Sequence, residues 1–155
     1  MDKIRIFKDK VYCSNLNLNQ KNYGIIQNGT LVLMPEEFLY LLSRNKINTD
    51  KSLNYFINKF SKKIQDRFVI YEDLRKKGYI LKSGLKFGSD FRVYDKNKFN
   101  SHSKWLLNVL HKSSINKKDF SSMNRLANST KKNILLAYLD PENGISYFEI
   151  SWKKL

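Results

Sequence analysis

Gly84-Leu85-Lys86-Phe87-Gly88-Ser89-Asp90-Phe91-Arg92-Val93-Tyr94 sets two glycines, two phenylalanines and three charges ahead of a closing tyrosine. The alternation reads as strand, turn and strand, with expected strands at 79–82, 86–88 and 90–94 forming a meander around Gly84 and Gly88. No strand-to-helix transition follows these glycines. A phosphate loop of the nucleotide-binding kind needs that context, so a nucleoside triphosphate site is not expected here.

Upstream of the meander, Phe68, Tyr71 and Leu74 mark the buried face of a helix over 66–77, and Gly78 is placed to end it. An earlier helix carries Leu53, Phe56, Ile57, Phe60 and Ile64 at helical spacing. Before it, Pro35-Glu36-Glu37 opens another helix, with proline at a first-turn position and carboxylates where the macrodipole favours them; Phe38, Leu41 and Leu42 form its apolar face. The first third of the chain reads as short strands at 3–7, 10–13, 23–26 and 30–34, and Asn28-Gly29 is a hairpin signal.

Downstream, the run Trp105, Leu106, Leu107, Val109 and Leu110 is too continuously apolar to sort by periodicity, and a buried strand is the preferred reading. Asn116 or Asp119 caps a helix that sets Met123, Leu126 and Ala127 on one face. Residues 133–139 form a central strand, 140–144 a turn, and 145–152 the hairpin partner. The expected fold is α/β (α+β): a small N-terminal α/β domain at 1–62, then a C-terminal domain at 63–155 with a mixed sheet flanked by helices.

The chain has 29 Lys and Arg against 14 Asp and Glu, a formal net charge of +15. A polyanion, nucleic acid first, is the expected partner. A lysine- and asparagine-rich composition also follows from an AT-rich genome, and composition alone does not separate the two. One cysteine, Cys13, and two histidines exclude a disulfide framework and any ligand set of recognised spacing, so no metal or cofactor is expected. Asp90 stands apart from other acids, against a two-metal nuclease. There is no signal-peptide pattern and no apolar run of membrane-spanning length, so a cytoplasmic location is expected.

A basic protein without metal ligands can still cut RNA, because the ribose 2′-hydroxyl can attack the adjacent phosphorus. A base must take that proton, an acid must protonate the departing 5′-oxygen, and a cation must hold the developing charge. Tyrosine, histidine and lysine can fill these roles. Singly, each residue type is more often core, solvated loop or surface.

Residues 71–94, Tyr-Glu-Asp-Leu-Arg-Lys-Lys-Gly-Tyr-Ile-Leu-Lys-Ser-Gly-Leu-Lys-Phe-Gly-Ser-Asp-Phe-Arg-Val-Tyr, closely resemble the tRNA-splicing endonuclease family. The likeness continues through His102-Ser103-Lys104-Trp105-Leu106-Leu107 and Arg125-Leu126-Ala127-Asn128-Ser129-Thr130-Lys131-Lys132, and through Tyr147 to Trp152. It is strong over 69–155 and fainter before, where Tyr23-Gly24 and residues 31–42 are similar to the archaeal N-terminal domain.

The resemblance implies Tyr94 as general base, His102 as general acid and Lys132 as the transition-state cation, with 2′,3′-cyclic phosphate and 5′-hydroxyl products. Lys132 is preferred to Lys131 as the second of the family's basic pair, and His111 is the alternative acid. Nearby positive charge would lower the tyrosine pKa in the useful direction. Asn128 stands where the family usually has histidine, and Thr130 where it usually has valine. Arg125 aligns with an arginine that clamps a flipped bulge base, and Trp152 is a candidate second plane.

The resemblance further implies a precursor tRNA with a bulge-helix-bulge as substrate, and a tetramer. It is either a homotetramer or a heterotetramer with a structural subunit, and the sparse acids favour the second. Asp140 and Glu142 in the 140–144 turn are the candidate subunit contact, and the last strand a second one, by edge pairing. A non-catalytic structural or RNA-binding subunit of the same assembly is the alternative function.

Overall fold

The computed structural model describes residues 1–112 and 114–155, which divide into two compact units, Met1–Glu72 and Asp73–Leu155. The first unit builds a four-stranded antiparallel sheet from β1 (Ile4–Phe7), β2 (Lys10–Cys13), β3 (Ile25–Gln27) and β4 (Thr30–Leu33), in the order β1-β2-β4-β3. Asn28-Gly29 closes the β3–β4 hairpin as the sequence pattern predicts. β3 begins two residues later than expected. The Asn19 side-chain amide holds the Tyr23 and Gly24 carbonyls at 3.2 and 3.1 Å, and Glu37 takes the Gly24 N–H at 3.2 Å, so neither residue is free to join the ladder.

Alternation in β2 and β4 turns Val11, Cys13, Leu31 and Leu33 into the core, where they meet Phe38, Leu39 and Leu41 from α1 (Pro35–Ser43). Glu36 and Glu37 in the first turn of α1 are both buried. Burial pushes the Glu36 carboxyl up, and the Arg67 guanidinium 2.8 Å away opposes that. Two helices form here as expected, α2 (Leu53–Lys59) and α3 (Lys62–Lys76), but the break falls at 60–61, so Ile64 belongs to the second and not the first. Ser61 is the cause. Its hydroxyl accepts the Ile64 N–H at 3.3 Å, starting a new helix, and the Gln65 amide caps the Ile57 and Phe60 carbonyls left by α2 at 3.1 and 3.0 Å.

The second unit is a five-stranded mixed sheet of β5 (Ile80–Ser83), β6 (Phe91–Tyr94), β7 (Trp105–Leu110), β8 (Asn133–Leu139) and β9 (Ile145–Ile150), in chain order. All neighbours are antiparallel except β7 and β8, and α4 (Lys117–Ser129) makes the crossover that a parallel pair requires. β7 lies in the middle, and β8 is interior as expected, paired with β7 on one side and β9 on the other. Asn116 caps α4 by accepting the Asp119 N–H at 2.8 Å. Ala127, Leu126 and Met123 pack on Leu106, Ile134 and Leu136, which fixes which sheet face α4 covers. The class is α/β, as the sequence pattern predicts. Among the described residues no helix is long and apolar enough to cross a membrane.

Residues 86–88, expected as a strand, lie instead in and just after a single helical turn, Leu85–Phe87. The Gly84 carbonyl accepts both the Phe87 and the Ser89 N–H, at 2.8 and 3.1 Å, and Gly88 takes a left-handed conformation at φ +62°. A strand cannot fold back in this way. Asp90 anchors the turn to the sheet, donating its N–H to the Leu107 carbonyl at 3.0 Å and accepting the Val109 N–H at 2.8 Å. Gly84 is required by close approach rather than by φ: a Cβ there would sit 2.7 Å from the Ser89 carbonyl oxygen. Gly84→Ala is expected to destabilise the protein by about 1–3 kcal/mol. Urea unfolding checks this, and an unchanged midpoint would refute the close-packing account.

Candidate active site

Strand direction brings three chain segments to one end of the second sheet. Val93 faces Trp105 across the antiparallel β6–β7 pair, and Trp105 faces Asn133 across the parallel β7–β8 pair. The end of β6 therefore lies beside the starts of β7 and β8. Two hydrogen bonds carry the pairing one step further, from the Lys104 N–H to the Val93 carbonyl at 2.9 Å and from the Asn133 N–H to the Lys104 carbonyl at 3.1 Å. Tyr94, Lys104 and Lys132 thus occupy consecutive strand ends, with backbones about 5 Å apart from one strand to the next. His102 lies two residues before Lys104.

The end of α4 aims Lys132. Lys131 takes a left-handed conformation at φ +56°, and the Lys132 N–H returns to the Ala127 carbonyl at 2.8 Å, closing the helix as β8 begins. Lys131 is exposed, whereas Lys132 is part-buried. The Lys132 Nζ donates to the Ser103 carbonyl at 2.9 Å and lies 5.9 Å from the centre of the Phe87 ring. Burial pushes the Lys132 ammonium below the usual lysine range, and the positive charge of Arg92 pushes it the same way. Tyr94 is only 9% exposed, its ring 5.0 Å from that of Phe99. His102 is exposed on the 95–104 loop.

Lys132 is therefore tied to the His102 segment through the neighbouring Ser103 carbonyl, while Tyr94 approaches from β6. Among the described residues no hydrogen bond joins the three side chains to one another. His111 does not belong here. It follows the far end of β7, about 20 Å along the strand from Lys104 at the usual rise per residue, so the fold does not bring the alternative acid to these strand ends. Trp152 lies beyond β9 and is 58% exposed, not part of the strand as expected. Arg125 is exposed on α4. Asp140 spends one carboxylate oxygen on its own turn, accepting the Glu142 and Gly144 N–H groups at 2.8 Å each, while Glu142 is exposed.

On the opposite sheet face, Glu149 accepts from the Trp105 indole and the Asn133 amide, both at 2.9 Å. It clamps the first residues of β7 and β8 together, beside Lys104 and Lys132. Those hydrogen bonds, the indole's first, hold its carboxyl below the ordinary glutamate value. Arg92, Phe87, Ser103 and Glu149 were not singled out by residue chemistry. The period-two spacing of Arg92 and Tyr94 was the available signal for the first of them. Among the described residues no group of three or more His, Cys, Asp or Glu side chains is placed to hold a metal ion.

The family model for the tRNA intron endonuclease catalytic C-terminal domain matches residues 64–147. The chain is also 35% identical to a tRNA-splicing endonuclease of Pyrococcus abyssi, over 97% of this chain and 92% of the relative. It is 33% identical to one of Methanothermobacter thermautotrophicus, over 86% and 84%, and 32% identical to one of Methanococcus vannielii, over 89% and 84%. The chain belongs to the tRNA-splicing endonuclease family. Membership supports a nuclease that acts on tRNA introns, and the similarity spans both units. The matched family domain contains the Tyr94, His102 and Lys132 segments and ends before Trp152.

In this endonuclease Lys132 should lose its proton at lower pH than an ordinary lysine, since burial and Arg92 both disfavour its charge. Titration of the Lys132 Cε resonance by NMR checks the direction. A midpoint at or above the ordinary lysine value would contradict the environment described.

Proposed function

We propose that the chain cleaves precursor tRNA at bulge-helix-bulge exon–intron junctions by attack of the ribose 2′-hydroxyl on the adjacent phosphorus. One observation carries the reading: Lys132, held by the Ser103 carbonyl and without a carboxylate partner among the described residues, stands at the same sheet end as Tyr94 and the His102 loop. Tyr94 takes the 2′-proton as the O2′–P bond forms. His102 protonates O5′ as the P–O5′ bond breaks, and Lys132 stabilises the charge that gathers on the non-bridging oxygens. The products are a 2′,3′-cyclic phosphate and a 5′-hydroxyl. These roles complete the transfer without calling on a metal or cofactor.

Exposed Arg125 and Trp152 are available to stack on an unpaired bulge base. The working enzyme is a cytoplasmic tetramer, either a homotetramer or a heterotetramer with a structural subunit. Of the two acids in the 140–144 turn, Glu142 is the better subunit contact, because Asp140 already serves the turn's own N–H groups.

Cleavage of a bulge-helix-bulge RNA in excess chelator tests the chemistry. Wild-type rate should persist, Lys132→Ala should be slower by a factor of roughly 10² or more with much less change in affinity, and His102→Ala should also be slow. Loss of wild-type cleavage on chelation would overturn the metal-free mechanism, and a fully active His102→Ala would remove the acid. Arg125→Ala should lose the preference for bulged over continuous duplex, measured by competition between the two RNAs.

A further inference from the structure

We propose that Arg92 and Lys132, facing the same Phe87 ring, form a two-cation cradle for a backbone phosphate of the RNA, with Arg92 as a phosphate-binding residue. The assignment rests on the reading that the RNA backbone crosses this end of the sheet. Arg92 faces Leu106 across β6–β7, and Leu106 faces Ile134 across β7–β8. Lys132 precedes Ile134 by two positions, so the two cations belong to the same sheet face, as does Tyr94, two positions after Arg92.

Their attachments fit such a cradle. The Arg92 Nε donates to the Ser83 carbonyl at 2.9 Å, and its guanidinium carbon lies 5.5 Å from the Phe87 ring centre; the Lys132 Nζ lies 5.9 Å from the same centre. Phe87 in turn packs on the core of its unit, so the platform between the cations is fixed. Both charges are held by uncharged carbonyls, of Ser83 and Ser103, and neither has a carboxylate partner among the described residues. The single bond through Nε leaves the two terminal nitrogens of Arg92 free of hydrogen bonds among those residues, in the fork that suits two phosphate oxygens. Two like charges brought to one ring without a counterion repel, and the depressed ammonium of Lys132 reflects this in part. A bound phosphate reverses that penalty.

An Arg92 that only clipped β6 to β5 would matter for folding and not for ion release, and this difference decides the test. The full chain is titrated with a bulge-helix-bulge RNA carrying 2′-deoxy sugars at both cleavage positions, over a series of KCl concentrations. Arg92→Gln should lower the steepness of log affinity against log salt by about 1 and weaken low-salt binding by roughly ten-fold, and Arg92→Lys should restore most of the slope. Weakened binding with a wild-type slope, or no change, would overturn the proposal.

Should Arg92→Gln fail to fold, phenylglyoxal labelling of the wild-type protein gives an independent answer. RNA should protect Arg92 from modification, and equal labelling with and without RNA would overturn the assignment. Because the deoxy RNA cannot be cut, the slope stands apart from the catalytic roles. A Lys132→Ala enzyme that cleaves normally removes the proposed chemistry, while the Arg92 slope still decides the phosphate contact.

Discussion

The parallel pairing of β7 with β8 is the constraint on which the catalytic unit depends. A parallel pair cannot be joined by a tight turn, so the chain must leave the far end of β7, cross the sheet and re-enter at the near end. α4 makes that crossing, and its apolar face of Met123, Leu126 and Ala127 provides the burial that holds it there. The consequence is positional. The left-handed turn at Lys131 that ends α4 falls at the start of β8, and Lys132 arrives beside Ser103 because the start of β7 is there too. An antiparallel β8 would have entered from the opposite end, about 20 Å away.

Charge is distributed around this scaffold in an uneven way. Several of the chain's few carboxylates serve N–H or O–H donors of the protein itself: Glu37 binds Gly24 and Met34, Asp90 binds Val109, Asp140 binds its own turn, and Glu149 binds Trp105 and Asn133. Asp73 accepts from Lys77 and Tyr147 at 2.8 and 2.6 Å; burial raises its carboxyl, but those bonds together with the charges of Lys77 and Lys76 hold it below the ordinary aspartate value. Acids used in this manner leave Arg92 and Lys132 without a carboxylate partner among the described residues. Part of the net charge of +15 is thus held at Arg92 and Lys132, where a ring and two carbonyls stand in place of counterions. That arrangement suits a ligand that brings its own negative charge.

Much of the second unit was legible in the sequence because its signals were local. The apolar run from Trp105 reads as a buried strand, Asn116 or Asp119 as a cap, and Asn28-Gly29 in the first unit as a hairpin, each from residues within a few positions of one another. The failures share a different cause. The position of the break between α2 and α3 depends on Ser61 and on a Gln65 side chain reaching back to carbonyls of the preceding helix, and apolar spacing, which carries the first helix on to Ile64, does not mark it. The 84–90 turn is fixed by the Gly84 carbonyl and by Asp90 bonding across to β7, partners that periodicity does not contain. His111 could be separated from the site only once strand direction was known. Tyr94, His102 and Lys132 were expected as site residues from family resemblance alone, whereas the placing of Arg92 beside Phe87 on one face needed the fold.

The three proposed catalytic side chains also differ in how firmly the fold holds them, and the difference bears on how the site works. Lys132 is held by a helix end and by the Ser103 carbonyl, and Tyr94 is buried against Phe99 at the end of a paired strand. His102 sits exposed on the loop that joins β6 to β7. Under the proposed roles, the fixed pair acts where charge and proton position change at the attacked phosphate, and electrostatic stabilisation depends on such prior placement. The acid meets the departing oxygen, whose position is set by the RNA and not by the protein alone. In that role a loop-borne imidazole, its backbone anchored two residues away at Lys104, would set its ring against the bound strand. Under the proposed roles the division of labour follows the topology: strand ends carry the base and the cation, and the connecting loop carries the acid.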